Sequence, residues 1–189
     1  MLGVHETDLW PQLRPNRTRP DEVLAIYPHR DTVPREVWLS VFGSARQEIG
    51  MLEDASVSVA ADQPIAAVLA ERAAFGVNVR ICLYNTSAPT VALGVARPQD
   101  AGASVGSLRE ALSIYAPLRE KGDVEIRLHQ GAAYSSIYCV DDQVLVSQHA
   151  YGIPIQSAPI LKMRRTEGGD MVVAYVDAFK LAWAAGRRW

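Results

Sequence analysis

The chain has 189 residues, 49% of them apolar, which is enough to build the core of one domain. A net charge of −2 excludes a uniformly basic surface of the kind that holds nucleic acid by charge alone. No apolar run is long enough to span a bilayer and no signal-peptide pattern is present, so the expected setting is the cytoplasm without membrane contact.

Residues 1–20 carry Pro11, Pro15 and Pro20 with Arg14, Arg17 and Arg19, a pattern that predicts an extended arm. Val23 to Tyr27 reads as a first strand, and Pro28-His29-Arg30-Asp31 as the loop after it. His29 and Arg30 have the chemistry to meet an anion, or simply to face water. Pro34 suits the first turn of a helix running to about Ile49, with Trp38, Val41, Ala45 and Ile49 on one stripe. Periodicity leaves two segments open for the second strand, Ile49 to Glu53 or Ala55 to Ala60. A second helix over Pro64 to Phe75 is ended by Gly76, and Val77 to Leu83 follows as a buried strand. Asn85 to Ala103, with Pro89 and Pro98, reads as a long loop. Ser104 then caps a helix to Arg119 whose inner side carries Leu108, Leu112, Tyr115 and Leu118.

Three strands follow between Val124 and Gly152. Glu125 to His129 alternates polar and apolar, while Tyr134 to Val140 and Val144 to His149 are rich in β-branched and aromatic residues. Asp141-Asp142-Gln143 between the last two is a hairpin turn. Alternation puts Tyr134, Ser136 and Tyr138 on one face of their strand, and Leu145, Ser147 and His149 on one face of the next. Pro159 to Arg164 is a further strand. Gly168-Gly169-Asp170 opens a last helix with the stripe Val172, Tyr175, Val176, Phe179 and Trp183, and Arg187 and Arg188 suit its C-terminal dipole. Cys82 and Cys139 lie inside predicted strands and read as buried free thiols.

The order of these elements resembles the phospholipase D-like superfamily, whose signature is His-x-Lys-(x)4-Asp on a strand and turn. In that frame Tyr134 stands at the His position, Ser136 at the Lys position and Asp141 at the Asp position. The resemblance implies that the His attacks phosphorus, that the Lys neutralises phosphate oxygens, and that the Asp supports the pair across the hairpin. A phenol with an ordinary pKa of about 10 is a poor nucleophile near neutral pH, and serine brings no charge, so the parent phosphodiesterase chemistry is expected to be absent. The segments LGVHETDLWP, AIYPHRDTVPREVW, APLREKGDVEIRLH and HAYGIP look more closely like a degenerate domain of this kind. That domain is found C-terminal to the helix-turn-helix of actinobacterial XRE-type transcriptional regulators. It selects Ile49 to Glu53 as the second strand, makes Leu2 to Pro11 the remnant of a helix-turn-helix unit, and leaves 21–189 as the domain proper. The chain departs from it at Ser135, Ser147 and Glu53-Asp54.

The fold expected is α/β, a mixed sheet flanked by helices forming one phospholipase D-like half-domain. Active enzymes of the superfamily pair two halves, so the resemblance implies a homodimer. Candidates for acid-base chemistry are His149, Tyr134, Glu53 and His129: an imidazole with an ordinary pKa of about 6.5 moves protons at physiological pH, and Glu53 ends a strand aimed at the same mouth. Candidates for holding a small-molecule ligand are Ser136, Ser147, Tyr151, Tyr138, Asp54 and Asp141, although Asp141 is most simply a turn former. His129, His149 and Glu53 do not have the spacing of any short metal motif, so neither a metal nor a cofactor is expected. Two functions follow from these residues. One is a degenerate ligand-sensing or dimerisation domain related to transcriptional regulators, touching no nucleic acid through this chain alone. The other is a stand-alone enzyme that has reused the pocket for acid-base chemistry on a small organic substrate, in secondary metabolism.

Overall fold

A computed structural model describes residues 22–84, 100–130, 134–150 and 153–189, with residues 100–106 described by their backbone. Among these residues eight strands form one mixed sheet: β1 (Val23–Tyr27), β2 (Glu48–Asp54), β3 (Asn78–Tyr84), β4 (Val124–His129), β5 (Ser135–Val140), β6 (Gln143–Gln148), β7 (Ile160–Arg164) and β8 (Arg187–Arg188). Their order across the sheet is β1-β7-β6-β5-β2-β3-β4-β8. The β2, β3 and β4 strands are parallel neighbours, as their helical crossovers require, and the β5-β6-β7-β1 side is antiparallel.

Among the described residues four helices cover the sheet: α1 (Arg35–Gly43), α2 (Gln63–Ala74), α3 (Asp100–Tyr115) and α4 (Met171–Ala185). The first three pack on one face, where Trp38, Phe42, Leu69 and Tyr115 meet Ile49, Met51, Ile81, Tyr138 and Leu145. The fourth lies on the opposite face, where Val172, Val176 and Phe179 meet Leu52, Cys82, Ile137 and Val146. Gly50 makes that second contact possible, because a Cβ there would stand 2.6 Å from the Phe179 ring. Among the described residues no helix is long and apolar enough to cross a membrane.

The expected strands are all present within a residue or two, and Ala55–Val57 and Val59–Ala61 are single 3₁₀ turns rather than a strand. Three boundaries are corrected. The first helix stops at Gly43, not near Ile49, because the amides of Arg46, Gln47 and Glu48 are taken by the Asp141 carboxylate at 2.8, 3.1 and 3.0 Å instead of by helical carbonyls. The third begins at Asp100, before Ser104, and its last part is a 3₁₀ turn over Ala116–Glu120 containing Pro117, which has no N–H to give an α-helix. Arg187 and Arg188 do not cap the last helix; Gly186 turns the chain to extended backbone and the two arginines pair with Leu128 and Arg127 at the edge of β4. The predicted arm over 1–20 and residues 85–99 of the predicted loop lie outside the described residues.

Candidate functional site

Strand pairing decides which candidates meet. Met51 faces Tyr138, and Leu83 faces Glu53, so Glu53 and Tyr138 share the face under α1 to α3. Ser136 pairs with Ser147 on that face, and beyond the last pair the His149 amide donates to the Tyr134 carbonyl at 3.1 Å, extending the hairpin. Asp54, Tyr84 and His129 pair with one another on the opposite face. The expectation that His129 opens on the same mouth as His149 and Glu53 is therefore corrected, and the three cannot surround one metal. His129 instead sets its ring edge-on to Tyr84 at 5.4 Å, with Nδ1 cut off from solvent and without a hydrogen-bond partner among the described residues. Burial, helped by Cys82 and Asp54, pushes the Tyr84 phenol up to about 12.

The first face holds a buried polar network. Glu53 is completely buried. Its Oε2 accepts from the Tyr115 hydroxyl at 2.5 Å and its Oε1 from the Val59 amide at 3.1 Å, with Arg30 Nη2 4.0 Å away. Arg30 donates from Nη1 to the Tyr138 hydroxyl at 2.6 Å and from Nη2 to the Val57 carbonyl at 2.7 Å. Its guanidinium lies over the rings of Trp38 and Tyr138 at 5.4 and 5.3 Å, and those rings meet edge to face. Burial raises the Glu53 carboxyl above its ordinary range, with Arg30 and Tyr115 opposing it. Burial works against the Arg30 cation, but Tyr138 and Glu53 outweigh it and hold its pKa raised. The Tyr115 and Tyr138 phenols are raised by burial first and by Glu53 as well, so neither ionises at any ordinary pH. Glu53 thus does not stand in an open mouth, and both its oxygens already have partners.

Beside Arg30 opens a pocket of about 410 Å³, whose lining includes Asp31, Arg35, Trp38, Val57, Asp62 and Ile65. At the strand ends, Ser136 Oγ lies 3.1 Å from His149 Nε2, and Ser147 Oγ is buried with no partner among the described residues. Tyr134 is 73% exposed. Tyr151 lies outside the described residues. Asp54 turns away from Glu53 and accepts from the Ser56 amide and hydroxyl at 2.9 and 2.6 Å, closing the turn after β2. Asp141, with φ +49°, is a turn residue whose carboxylate is filled by three amides at the far end of the hairpin from Ser136. Among the described residues no cluster of three or more His, Cys, Asp or Glu is placed to hold a metal.

Comparison with solved structures places this architecture. NucT from Helicobacter pylori matches 87% of this chain and 98% of its own with a TM-score of 0.54. TrmBL2, an archaeal chromatin protein, matches 97% of this chain with a TM-score of 0.55, and the chain spans 59% of its length. Nuc from Salmonella typhimurium, a phospholipase D family member, matches 82% of this chain and 90% of its own with a TM-score of 0.49. The fold is phospholipase D-like.

Each likeness is at 14% identity and concerns the fold alone. Neither the protein-family models nor the curated proteins give a match. The β5-β6 pairing brings Ser136, Ser147 and His149 together at one end of the hairpin. Sequence reasoning misses Tyr115 and Trp38, which sit on helical core stripes and carry no local sign of a polar role. Arg30 is visible in the sequence only as a charged loop residue, whereas its side chain is 10% exposed and folded inward.

Proposed function

We propose that the chain is a ligand-binding, dimer-forming domain that has lost phosphodiesterase chemistry, of the kind carried by transcriptional regulators. The observation that carries this reading is the filling of the two catalytic frame positions. Tyr134 stands exposed where the nucleophilic His is required, and Ser136 stands buried against His149 where the phosphate-binding Lys is required. The nearby cation Arg30 is committed to Tyr138, Val57 and Glu53. The pocket beside this network supplies room for a small molecule. TrmBL2, whose structure is described as showing a novel mode of DNA binding, contains this fold within a longer chain, which supports the regulator connection. The purified chain is expected to leave bis(p-nitrophenyl) phosphate intact and to sediment as a dimer. Turnover of that diester that vanishes in Ser136→Ala would overturn the reading.

The hydrogen bond between Ser136 and His149 favours a second reading, an enzyme that reuses the strand ends for acid-base chemistry on a small organic substrate. In that case Glu53 is a positioning residue, since its oxygens are occupied. His149→Ala separates the two: an enzyme loses turnover with its fold intact, whereas a sensor loses only affinity.

A further inference from the structure

The composition of α4 does not suit a helix with one side in water. Asp177 and Lys180 are the only charges in its 15 residues, and they pair with each other at 3.7 Å. Val172, Val176 and Phe179 pack on the sheet. The side turned away from the sheet carries Met171, Val173, Ala174, Ala178, Leu181 and Ala185, all exposed, with Leu181 at 73%. A helix that is apolar all round is normally buried all round. Yet α1, α2 and α3 pack on the opposite face, so among the described residues α4 stands alone on its own. The uncovered surface continues onto the sheet. Ile26 pairs with Leu161, which packs in the α4 cluster, so Ile26 lies on this side, and it is 67% exposed.

Resting on the reading of the chain as dimer-forming, we infer that a second copy of the chain covers this face, with the two α4 helices packed antiparallel across a two-fold axis. The exposed apolar positions Met171, Ala174, Ala178, Leu181 and Ala185 recur at alternating spacings of three and four, the pattern of a seam between two helices. The seam is self-complementary. Leu181 is its large central side chain, and the alanines around it leave the hollow that receives the Leu181 of the second copy. Charge sets the direction. Asp177 and Lys180 lie on one flank of the seam. Antiparallel helices reverse their order, so each comes beside the opposite charge of the second copy, and the two helix dipoles oppose. Parallel packing would set Leu181 on Leu181 and like charges side by side. A helix pair with one corner of a sheet is at the low end of interface sizes, so the affinity expected is micromolar.

Sedimentation equilibrium of the full chain over about 1–100 μM tests the inference. The wild-type chain is expected to dimerise reversibly. Leu181→Glu is expected to raise the dissociation constant roughly ten-fold or more while its circular dichroism stays that of wild type, since the side chain is exposed. Phe75→Glu, at an equally exposed apolar residue just after α2, is expected to leave the dimer intact. Leu181→Lys is expected to dissociate as Leu181→Glu does, and an equimolar mixture of the two to regain the dimer, a recovery that a folding defect does not give. A wild-type dimer that survives Leu181→Glu overturns the assignment of this face and leaves the dimer-forming reading standing. A dimer lost in Leu181→Glu but not regained in the mixture overturns the packing of α4 on α4. A chain that stays monomeric throughout the range overturns both this inference and the dimer-forming reading.

Discussion

Replacing Arg30 by Met tests whether the buried network is electrostatically closed. Methionine keeps a long apolar stem between Trp38 and Tyr138 and removes the charge. At 4.0 Å, the attraction between Arg30 and Glu53 is about 4 kcal/mol at an effective dielectric constant of ~20. Two hydrogen bonds from the cation, to Tyr138 and Val57, are lost as well. Part of this is returned because the guanidinium no longer has to be desolvated, so the net cost is that of breaking one side of a buried pair, roughly 3–5 kcal/mol. For a chain of this size that lowers the melting temperature by roughly 6–20 °C. The cost also depends on pH. Burial holds the Glu53 pKa above its unfolded value, so its contribution is intact at low pH and is lost as pH rises through the folded pKa. Removing the cation that opposes this shift raises the folded pKa further and extends the loss upward. The deficit of Arg30→Met relative to wild type is therefore expected to be larger at pH 8 than at pH 5.5 in urea unfolding. Adding Glu53→Gln is expected to recover part of it. A deficit below about 1 kcal/mol, or one equal at both pH values, refutes the reasoning.

Asp141→Ala is expected to destabilise by about 2–3 kcal/mol, because it strands three amides and removes a side chain that tolerates φ +49°, yet to leave small-molecule binding unchanged when assayed on the folded fraction. Glu22→Ala should cost about 1–2 kcal/mol in urea unfolding, since its carboxylate accepts from the Met171 and Val172 amides at 2.8 and 3.1 Å and caps α4 from a distant part of the chain. Gly50→Ala should cost about 1–3 kcal/mol by driving a methyl into Phe179, and Phe179→Leu in the same chain should return part of it. Burial holds the Cys82 and Cys139 thiols up at about 12, so a thiol reagent at pH 8 should find neither in the native protein and both after denaturation.

The strands are legible because alternation is local: the residues that share a face of β5, and those that share a face of β6, follow from parity alone. Parity within one strand does not give the register between strands. Nearness to a strand end groups His129 with His149, whereas its pairing with Tyr84 turns it to the side of α4. The end of the first helix is hidden for a related reason, since the competing carboxylate of Asp141 lies 95 residues away from Arg46. Tyr115 reads as an ordinary member of an apolar stripe, and only its meeting with Glu53, 62 residues earlier, gives its hydroxyl a role. Two arginines after a helix carry no strand pattern, so β8 exists only because the edge of β4 is there to receive it.

The hold of Asp141 on residues 46–48 also fixes a register. The β5-β6 hairpin closes through a two-residue turn and forms from neighbours in the chain, on a timescale of about 1–10 μs for such units. The pairing of β2 with β5 joins segments far apart in sequence and bears the loop-closure cost that slows such contacts. Docking the hairpin tip onto the turn before β2 selects the alignment in which Tyr138 comes opposite Met51, within reach of Arg30. A slip of one residue would turn Tyr138 to the other side of the sheet. The polar network is thereby complete only where this long-range pairing is in register, which ties its formation to the correct alignment of β2 with β5.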